Sequence, residues 1–123
     1  MLFLGLGTGV GSTLILDDVI IPLELGFLNF SKKRTVGEAL SKVALKTSSS
    51  ARWSEAVIDI VSHLSRAFQT DYVVIGGGNV QRLKRLPRCA RRGHNDNAFI
   101  GGARLWGHAG VSAHPRKHTW VIA

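Results

Sequence analysis

Cysteine and long apolar runs are both scarce in this chain. Cys89 is the one cysteine among 123 residues, which excludes a disulfide framework and a four-cysteine zinc site. Apolar runs such as residues 19–23 are far shorter than the ~20 residues that a membrane-spanning helix needs. Residues 1–6 carry no basic stretch and are too short for a signal peptide. Together these absences predict a protein of a reducing compartment, the cytoplasm, without a membrane partner.

Acidic residues are also few, and the cations that outnumber them are clustered. The chain has 16 Lys and Arg against 8 Asp and Glu, for a formal net charge of +8. Residues 82–92, here called the basic run, contain no acid and six cations: Arg82, Lys84, Arg85, Arg88, Arg91 and Arg92. Such a run is either a solvated face or a binding site for a polyanion. On charge alone, nucleic acid, polyphosphate and nucleotide are all compatible with the second interpretation.

The composition is that of one globular domain. Apolar residues make up 45% and charged residues 20% of the chain, and its length suits a single domain. Residues rich in β-forming side chains predict a three-stranded antiparallel meander over residues 2–6, 12–16 and 19–23. A capping box at Thr35 and Glu38 predicts a helix that begins there and ends near residue 45.

Later segments alternate between predicted helices and a predicted strand. Apolar residues recur at helical spacing over residues 53–68, and residues 71–75 are typical of a buried strand. We expect the basic run to be a short helix or a loop, residues 97–106 to form a final helix, and residues 107–123 to be a poorly ordered tail. This order predicts an α/β fold with a mixed sheet.

Half of the 14 glycines fall in two short clusters, each preceded by a predicted strand. The first cluster lacks the helix-opening spacing of a dinucleotide fingerprint and the lysine of a P-loop. A glycine-rich hairpin can still turn backbone N–H groups toward an anion, and hydroxyls at Thr8 and Ser12 would add donors. A flexible hairpin without a ligand is the alternative. The candidate phosphate-binding residues are Gly7, Thr8, Gly9 and Gly11.

The second glycine cluster follows the predicted buried strand. A loop at the carboxyl end of such a strand suits a ligand, because backbone without side chains lets a base or ribose lie close; a plain turn is the alternative. The candidate phosphate- or nucleotide-binding residues here are Gly76, Gly77, Gly78 and Asn79. Glu24, at the end of the third predicted strand, is a candidate acceptor for sugar hydroxyls, or simply a solvated acid.

Five segments, in this order, resemble the ROK-family sugar kinases and most closely their polyphosphate glucokinase branch. They are residues 4–12, 24–26, 34–35, 71–79 and 95–106. The resemblance implies the actin-like ATPase (ribonuclease-H-like) fold, with a phosphate hairpin between the first two strands and the second glycine cluster near the adenosine or phosphoryl donor. It also implies glucokinase-type transfer of a phosphoryl group from ATP or polyphosphate, with Mg²⁺, to glucose or a similar hexose held by Glu24.

The resemblance further implies that the chain is the carboxyl-terminal part of such a kinase. Residues 1–106 match that lobe, whereas the family's general-base aspartate and first phosphate loop would lie upstream. We therefore expect no turnover by this chain alone, and we assign no catalytic residue and no metal ligand. With that half missing, Leu2, Phe3 and Leu4 are expected at an exposed sheet edge. Phe27 stands where the family has a histidine that touches the sugar.

Other functions are compatible with parts of this pattern. A non-catalytic phosphate- or polyanion-binding module would use the glycine loops and the basic run without chemistry. A ROK-type repressor is disfavoured because the sequence has no helix-turn-helix segment, and the resemblance disfavours nucleic acid as a partner. A homodimer, as in the family, is left open.

Overall fold

The computed structural model describes residues 1–17, 19–94 and 120–121, which include a six-stranded sheet. The strands of the chain are β1 (Leu2–Leu6), β2 (Val10–Leu16), β3 (Val19–Leu23), β4 (Asn29–Ser31), β5 (Arg34–Thr35), β6 (Val73–Gly76), β7 (Ala90–Arg92) and β8 (Trp120–Val121). The helices are α1 (Val36–Leu40), α2 (Lys42–Thr47) and α3 (Ser50–Ala67), together with a 3-10 turn at Leu25–Phe27 and a 3-10 helix at Gly78–Arg82.

The large sheet is mixed, as predicted, and has the strand order β7-β6-β1-β2-β3-β8. The meander of β1, β2 and β3 is confirmed, since both of its pairings are antiparallel. β6 pairs parallel with β1, and β7 pairs parallel with β6. The expectation that Leu2, Phe3 and Leu4 lie at an exposed edge is wrong. β1 has a strand on each side, and Leu2 and Leu4 are fully buried.

The core lies between one face of this sheet and the helices. Leu2, Leu4 and Leu6 point inward from alternate positions of β1 and are 0% exposed, because side chains of a strand alternate between its two faces. The facing stripe of α3 is buried along its length: Trp53, Val57, Ile60, Val61 and Leu64. The helix predicted over residues 53–68 is therefore confirmed. It begins earlier, at Ser50, because the Ser49 side chain caps it by accepting the Arg52 N–H at 3.2 Å.

The helix predicted from Thr35 to about residue 45 is divided in two. Its capping box is confirmed: the Thr35 hydroxyl accepts the Glu38 N–H at 3.2 Å, and the Glu38 carboxylate accepts the Thr35 N–H at 2.8 Å. At Ser41 the backbone becomes extended, and its side chain accepts the Ala44 N–H at 3.1 Å, which starts α2. Serine competes with helical backbone bonds in this way and favours caps.

The end of the chain is only partly covered by the structure. Part of the basic run forms β7, which the prediction of a helix or loop missed. The predicted final helix, residues 97–106, and the predicted domain boundary at 106 lie outside the described residues, as does most of the predicted tail. Within that tail, β8 pairs antiparallel with β3. None of the helices in the described part of the chain is long and apolar enough to cross a membrane.

Candidate functional site

The two glycine clusters lie side by side at one end of the sheet. β1 and β6 are parallel neighbours in which Gly5 pairs with Gly76, so the loops that follow them leave the sheet at the same end. We call residues 7–11 the first glycine loop and residues 76–79 the second. The first is the turn of the β1–β2 hairpin, in which the Gly7 N–H donates to the Gly9 carbonyl at 3.0 Å. The fold thus brings together the two segments that the sequence singled out.

The second glycine loop is packed tightly against β1. Gly77 has a φ of +86°, and a Cβ built on it would lie 2.4 Å from the Leu6 carbonyl oxygen. A Cβ on Gly76 would lie 3.0 Å from the Phe3 ring. Gly77 therefore needs glycine both for packing and for its backbone conformation, whereas at Gly76 a side chain would be tight unless the Phe3 ring shifted. Gly78 is different, since a Cβ there would meet nothing within 4 Å.

Asn79 connects the second glycine loop to the first. Its side-chain Nδ2 donates a hydrogen bond of 2.8 Å to the Gly7 carbonyl. The residues that follow are anchored in the core, because Val80 and Leu83 are each 2% exposed. The Asn79 amide thus holds the hairpin turn, a structural role that the sequence did not reveal.

The first glycine loop is open. Cβ atoms built on Gly7, Gly9 and Gly11 would meet nothing within 4 Å, and both Thr8 and Gly9 are exposed. Packing therefore does not explain why glycine stands at these positions. The space that the missing side chains leave lets a ligand approach the backbone N–H groups closely.

Ser12 does not contribute to this loop as the sequence predicted. Its side chain is 7% exposed, and its hydroxyl donates to the Leu23 carbonyl at 2.6 Å while it accepts the Leu25 N–H at 3.0 Å. The hydroxyl faces inward because it satisfies two backbone groups where β3 ends. Ser12 was expected to donate a hydrogen bond to phosphate, but it instead holds the backbone on either side of Glu24. We call this pair of hydrogen bonds the Ser12 clamp.

Glu24 is exposed and lies between the two residues that the Ser12 clamp holds. Its carbonyl accepts the Phe27 N–H at 3.1 Å, which closes the 3-10 turn. Phe27 is 79% exposed, so its ring has no packing role within the described residues. An acid and an exposed aromatic side chain therefore flank one short turn at the end of β3.

A groove of about 560 Å³ opens beside the tip of the first glycine loop. Thr8 and Gly9 line one part of it, and Lys33 and Arg34 bring two cations from the β4–β5 hairpin. The Arg34 guanidinium donates to the Glu38 carbonyl at 3.2 Å. The remaining lining residues are Gly37, Glu38, Ser41, Val43, Ala44 and Thr47. Lys33 and Arg34 were not predicted as site residues, although three consecutive cations at 32–34 are a visible signal.

The basic run is not one continuous binding surface. The Arg91 guanidinium carbon lies 4.2 Å from the centre of the Tyr72 ring, a cation–π contact. Arg92 donates to two backbone carbonyls of the loop that follows the second glycine loop. The other cations are exposed: Arg82, Lys84, Arg85 and Arg88.

The described residues do not fit a Mg²⁺ ion held by this chain. Mg²⁺ prefers carboxylate, water and phosphate oxygens, and the acid that lines the groove, Glu38, already accepts the Thr35 N–H with one carboxylate oxygen. Within residues 1–17, 19–94 and 120–121, no group of three or more His, Cys, Asp or Glu is placed to hold a metal. No step of the reaction proposed below depends on one.

Comparison with known proteins relates this fold to a sugar kinase. No family model matches the chain, and no curated protein matches it. The crystal structure of an inorganic polyphosphate/ATP-glucomannokinase from Arthrobacter sp. strain KM matches with a TM-score of 0.72 at 26% identity. The match covers 87% of this chain and 47% of that one, so this chain spans about half of its length. The chain therefore has the α/β fold of a sugar kinase, the actin-like ATPase fold.

Proposed function

We propose that this chain is the donor-binding part of a ROK-type sugar kinase, which transfers a phosphoryl group from ATP or polyphosphate to glucose or a similar hexose. The observation that carries the proposal is the open first glycine loop, which Asn79 connects by a hydrogen bond to the closely packed second loop. Such a loop suits phosphate, and the solved structure that the chain resembles is described as a polyphosphate/ATP-glucomannokinase.

The donor phosphates would lie across the tip of the first glycine loop. Thr8, Gly9, Lys33 and Arg34 all line the groove. The Gly7 N–H is already engaged with the Gly9 carbonyl, so the Thr8 hydroxyl and the backbone N–H groups nearer the tip would meet the phosphates, and the two cations would attract them. Phosphoryl transfer is catalysed mainly by positioning and electrostatic stabilisation. These groups supply both without forming a covalent bond to the donor.

The sugar would lie at the end of β3, where Glu24 accepts hydrogen bonds from its hydroxyls. Ser12 contributes by fixing the backbone on either side of that acid. Phe27 offers an apolar surface in place of a hydrogen-bonding group. We propose that sugar affinity rests mainly on Glu24 and that Phe27 contributes only through contact area.

The base that removes a proton from the sugar would come from outside the described residues. Glu38 lines the groove, but its carboxylate is engaged in the α1 capping box. A positioned base is worth ~10²–10⁴-fold in rate. We therefore expect the 123-residue chain to bind the donor, and to show no measurable formation of glucose 6-phosphate in a coupled assay.

The test is a calorimetric titration of the chain with tripolyphosphate and with ATP. Gly9→Val should weaken binding by about tenfold or more, because its side chain fills space that is empty without a ligand. Thr8→Val should weaken binding less, and Thr13→Val is its matched control, since Thr13 lies on β2 outside the groove. Wild-type affinity in a folded Gly9→Val variant would show that the first glycine loop is not the donor site.

A non-catalytic polyanion-binding module is the second candidate. The exposed part of the basic run favours it: Lys84 and Arg85 line a separate pocket of about 300 Å³ with the beginning of α3. If this candidate is correct, polyphosphate affinity should depend on these cations rather than on the first glycine loop. It should also fall steeply with salt as counterions are released.

A further inference from the structure

Arg92 makes three hydrogen bonds to the residues that follow the second glycine loop. Its Nη1 donates to the Val80 carbonyl at 3.1 Å and to the Gln81 Oε1 at 3.4 Å, and its Nη2 donates to the Leu83 carbonyl at 2.8 Å. These acceptors belong to the 3-10 helix and the residue that caps it. The Val80 carbonyl also accepts the Leu83 N–H at 3.1 Å, so Arg92 shares this acceptor with the helix backbone. The Leu83 carbonyl lies past the last turn, where an arginine can satisfy a group that the helix leaves without a partner.

These contacts continue to the first glycine loop. The 3-10 helix that Arg92 holds contains Asn79, and the Asn79 Nδ2 donates to the Gly7 carbonyl at 2.8 Å. The backbone next to Arg92 is itself held to β6, because the Gly93 N–H, just after β7, donates to the Ile75 carbonyl at 2.8 Å. Direct contacts therefore connect Arg92, through the 3-10 helix, to the turn of the β1–β2 hairpin.

We propose that Arg92 is a positioning residue for the donor: it holds Asn79 so that the first glycine loop keeps its phosphate-binding geometry. The expected effect of Arg92 on donor binding rests on the proposed function, whereas its contacts to the 3-10 helix do not. The guanidinium is suited to the task because two of its nitrogens reach two different carbonyls. A lysine carries the same charge but has a single nitrogen and cannot reproduce the fork.

The neighbouring Arg91 provides a matched control. It has the same charge and lies on the same short strand, but it is exposed and packs over Tyr72 instead of binding the 3-10 helix. If Arg92 acted only as a positive charge near phosphate, lysine would replace it fully, and loss of charge at either position would have a similar effect. A positioning role predicts that Arg92→Lys weakens phosphate binding and that Arg91→Lys does not.

The first measurement needs no ligand. In nitrogen-15 spectra, the side-chain amide of Asn79 reports its hydrogen bond to Gly7. We expect Arg92→Lys to shift these resonances toward those of a solvated amide and to speed their hydrogen exchange, whereas Arg91→Lys leaves them unchanged. Unchanged Asn79 resonances in Arg92→Lys would overturn the inference, whatever the chain is found to bind.

The second measurement is affinity for tripolyphosphate by calorimetry. Arg92→Lys should weaken binding by about threefold to tenfold, the usual effect of one lost hydrogen bond, and Arg91→Lys should bind as the wild type does. Asn79→Ala should cause a similar loss. The double variant should bind no more weakly than the weaker single variant, because both changes break the same connection.

Each outcome decides a different point. Losses that multiply in the double variant, or equal losses in Arg91→Lys and Arg92→Lys, would overturn the positioning role. Wild-type affinity in Asn79→Ala rejects the inference even if Arg92→Lys does not fold, because Arg92 is proposed to act through Asn79. A wild-type chain that does not bind tripolyphosphate would reject the proposed function, while the Asn79 resonances would still test the role of Arg92.

Discussion

The first and second glycine loops differ in what surrounds their glycines. A Cβ on Gly9 would meet nothing within 4 Å, whereas a Cβ on Gly77 would lie 2.4 Å from a backbone oxygen of β1. The first loop has glycine where packing does not need it, whereas the second loop has at Gly77 a glycine that packing and a positive φ both require. Glycine-rich sequence alone does not separate a ligand site from a packing contact; the atoms around each Cα do.

The largest expected effect is the difference in the free energy of unfolding between Gly77→Ala and Gly9→Ala, each of which adds one methyl group to a glycine loop. Gly77→Ala should lower the free energy of unfolding by about 3 kcal/mol or more, through its positive φ and its clash with Leu6. Gly9→Ala should change it by no more than about 0.5 kcal/mol. Urea unfolding followed by circular dichroism gives both values. Equal losses in the two variants would contradict the comparison.

A substitution at Ser12, next to the base of the first glycine loop, should lower the free energy of unfolding more than one at Gly9 near its tip. Ser12→Ala leaves the Leu25 N–H and the Leu23 carbonyl without their partner in a buried place, which should cost about 2 kcal/mol of unfolding free energy. Ser50→Ala is the control, since Ser50 is exposed at the start of α3. A Ser12→Ala variant as stable as this control would show that the clamp has little energetic weight.

The two groove cations, Lys33 and Arg34, should contribute more to the binding of long phosphate chains than to the binding of short ones. Lys33→Ala combined with Arg34→Ala should weaken binding of long-chain polyphosphate by about tenfold and flatten its salt dependence, with a smaller loss for pyrophosphate. Lys42→Ala with Lys46→Ala removes the same charge from exposed positions of α2 outside the groove lining. Equal losses in the two double variants would assign the effect to net charge rather than to the groove.

The smallest effect should come from the exposed part of the basic run. If the first glycine loop is the donor site, Arg85→Ala with Arg88→Ala should weaken tripolyphosphate binding by about twofold or less at near-physiological salt. Fluorescence anisotropy with labelled polyphosphate at two salt concentrations measures this. A loss larger than that of Gly9→Val would favour the polyanion-binding module.

Local patterns in the sequence predicted most of the regular structure. The strands at residues 2–6 and 19–23 have the predicted bounds, because short apolar runs bounded by turn residues are visible within a few positions. The helix break at Ser41 and the strand β7 were missed. Ser41 had to be recognised as a cap inside a helical pattern. β7 depends on pairing with β6, and the paired residues, such as Val73 and Ala90, lie 17 positions apart in the chain.

The sequence predicted where the candidate site lies better than it predicted what each of its residues does. Both glycine loops and Glu24 were identified as candidate segments, and the fold brings the two loops together. Ser12 was assigned to phosphate and instead holds backbone, and the six cations of the basic run were treated as equal although Arg91 and Arg92 are engaged within the fold. Such roles depend on which face of a strand points inward and what meets it there.

The sequence by itself determined the alternating strands, the apolar stripe of α3, the Thr35 capping box and the excess of positive charge. Each of these depends on residues within one or two turns or strands, where chain geometry leaves little choice. Only the tertiary structure decided that Gly77 is required by packing, that Gly9 is not, and that Asn79 holds Gly7 across a separation of 72 residues. Contacts at that distance exist only after the parallel pairing of β1 with β6 has formed, because nothing local brings their loops together.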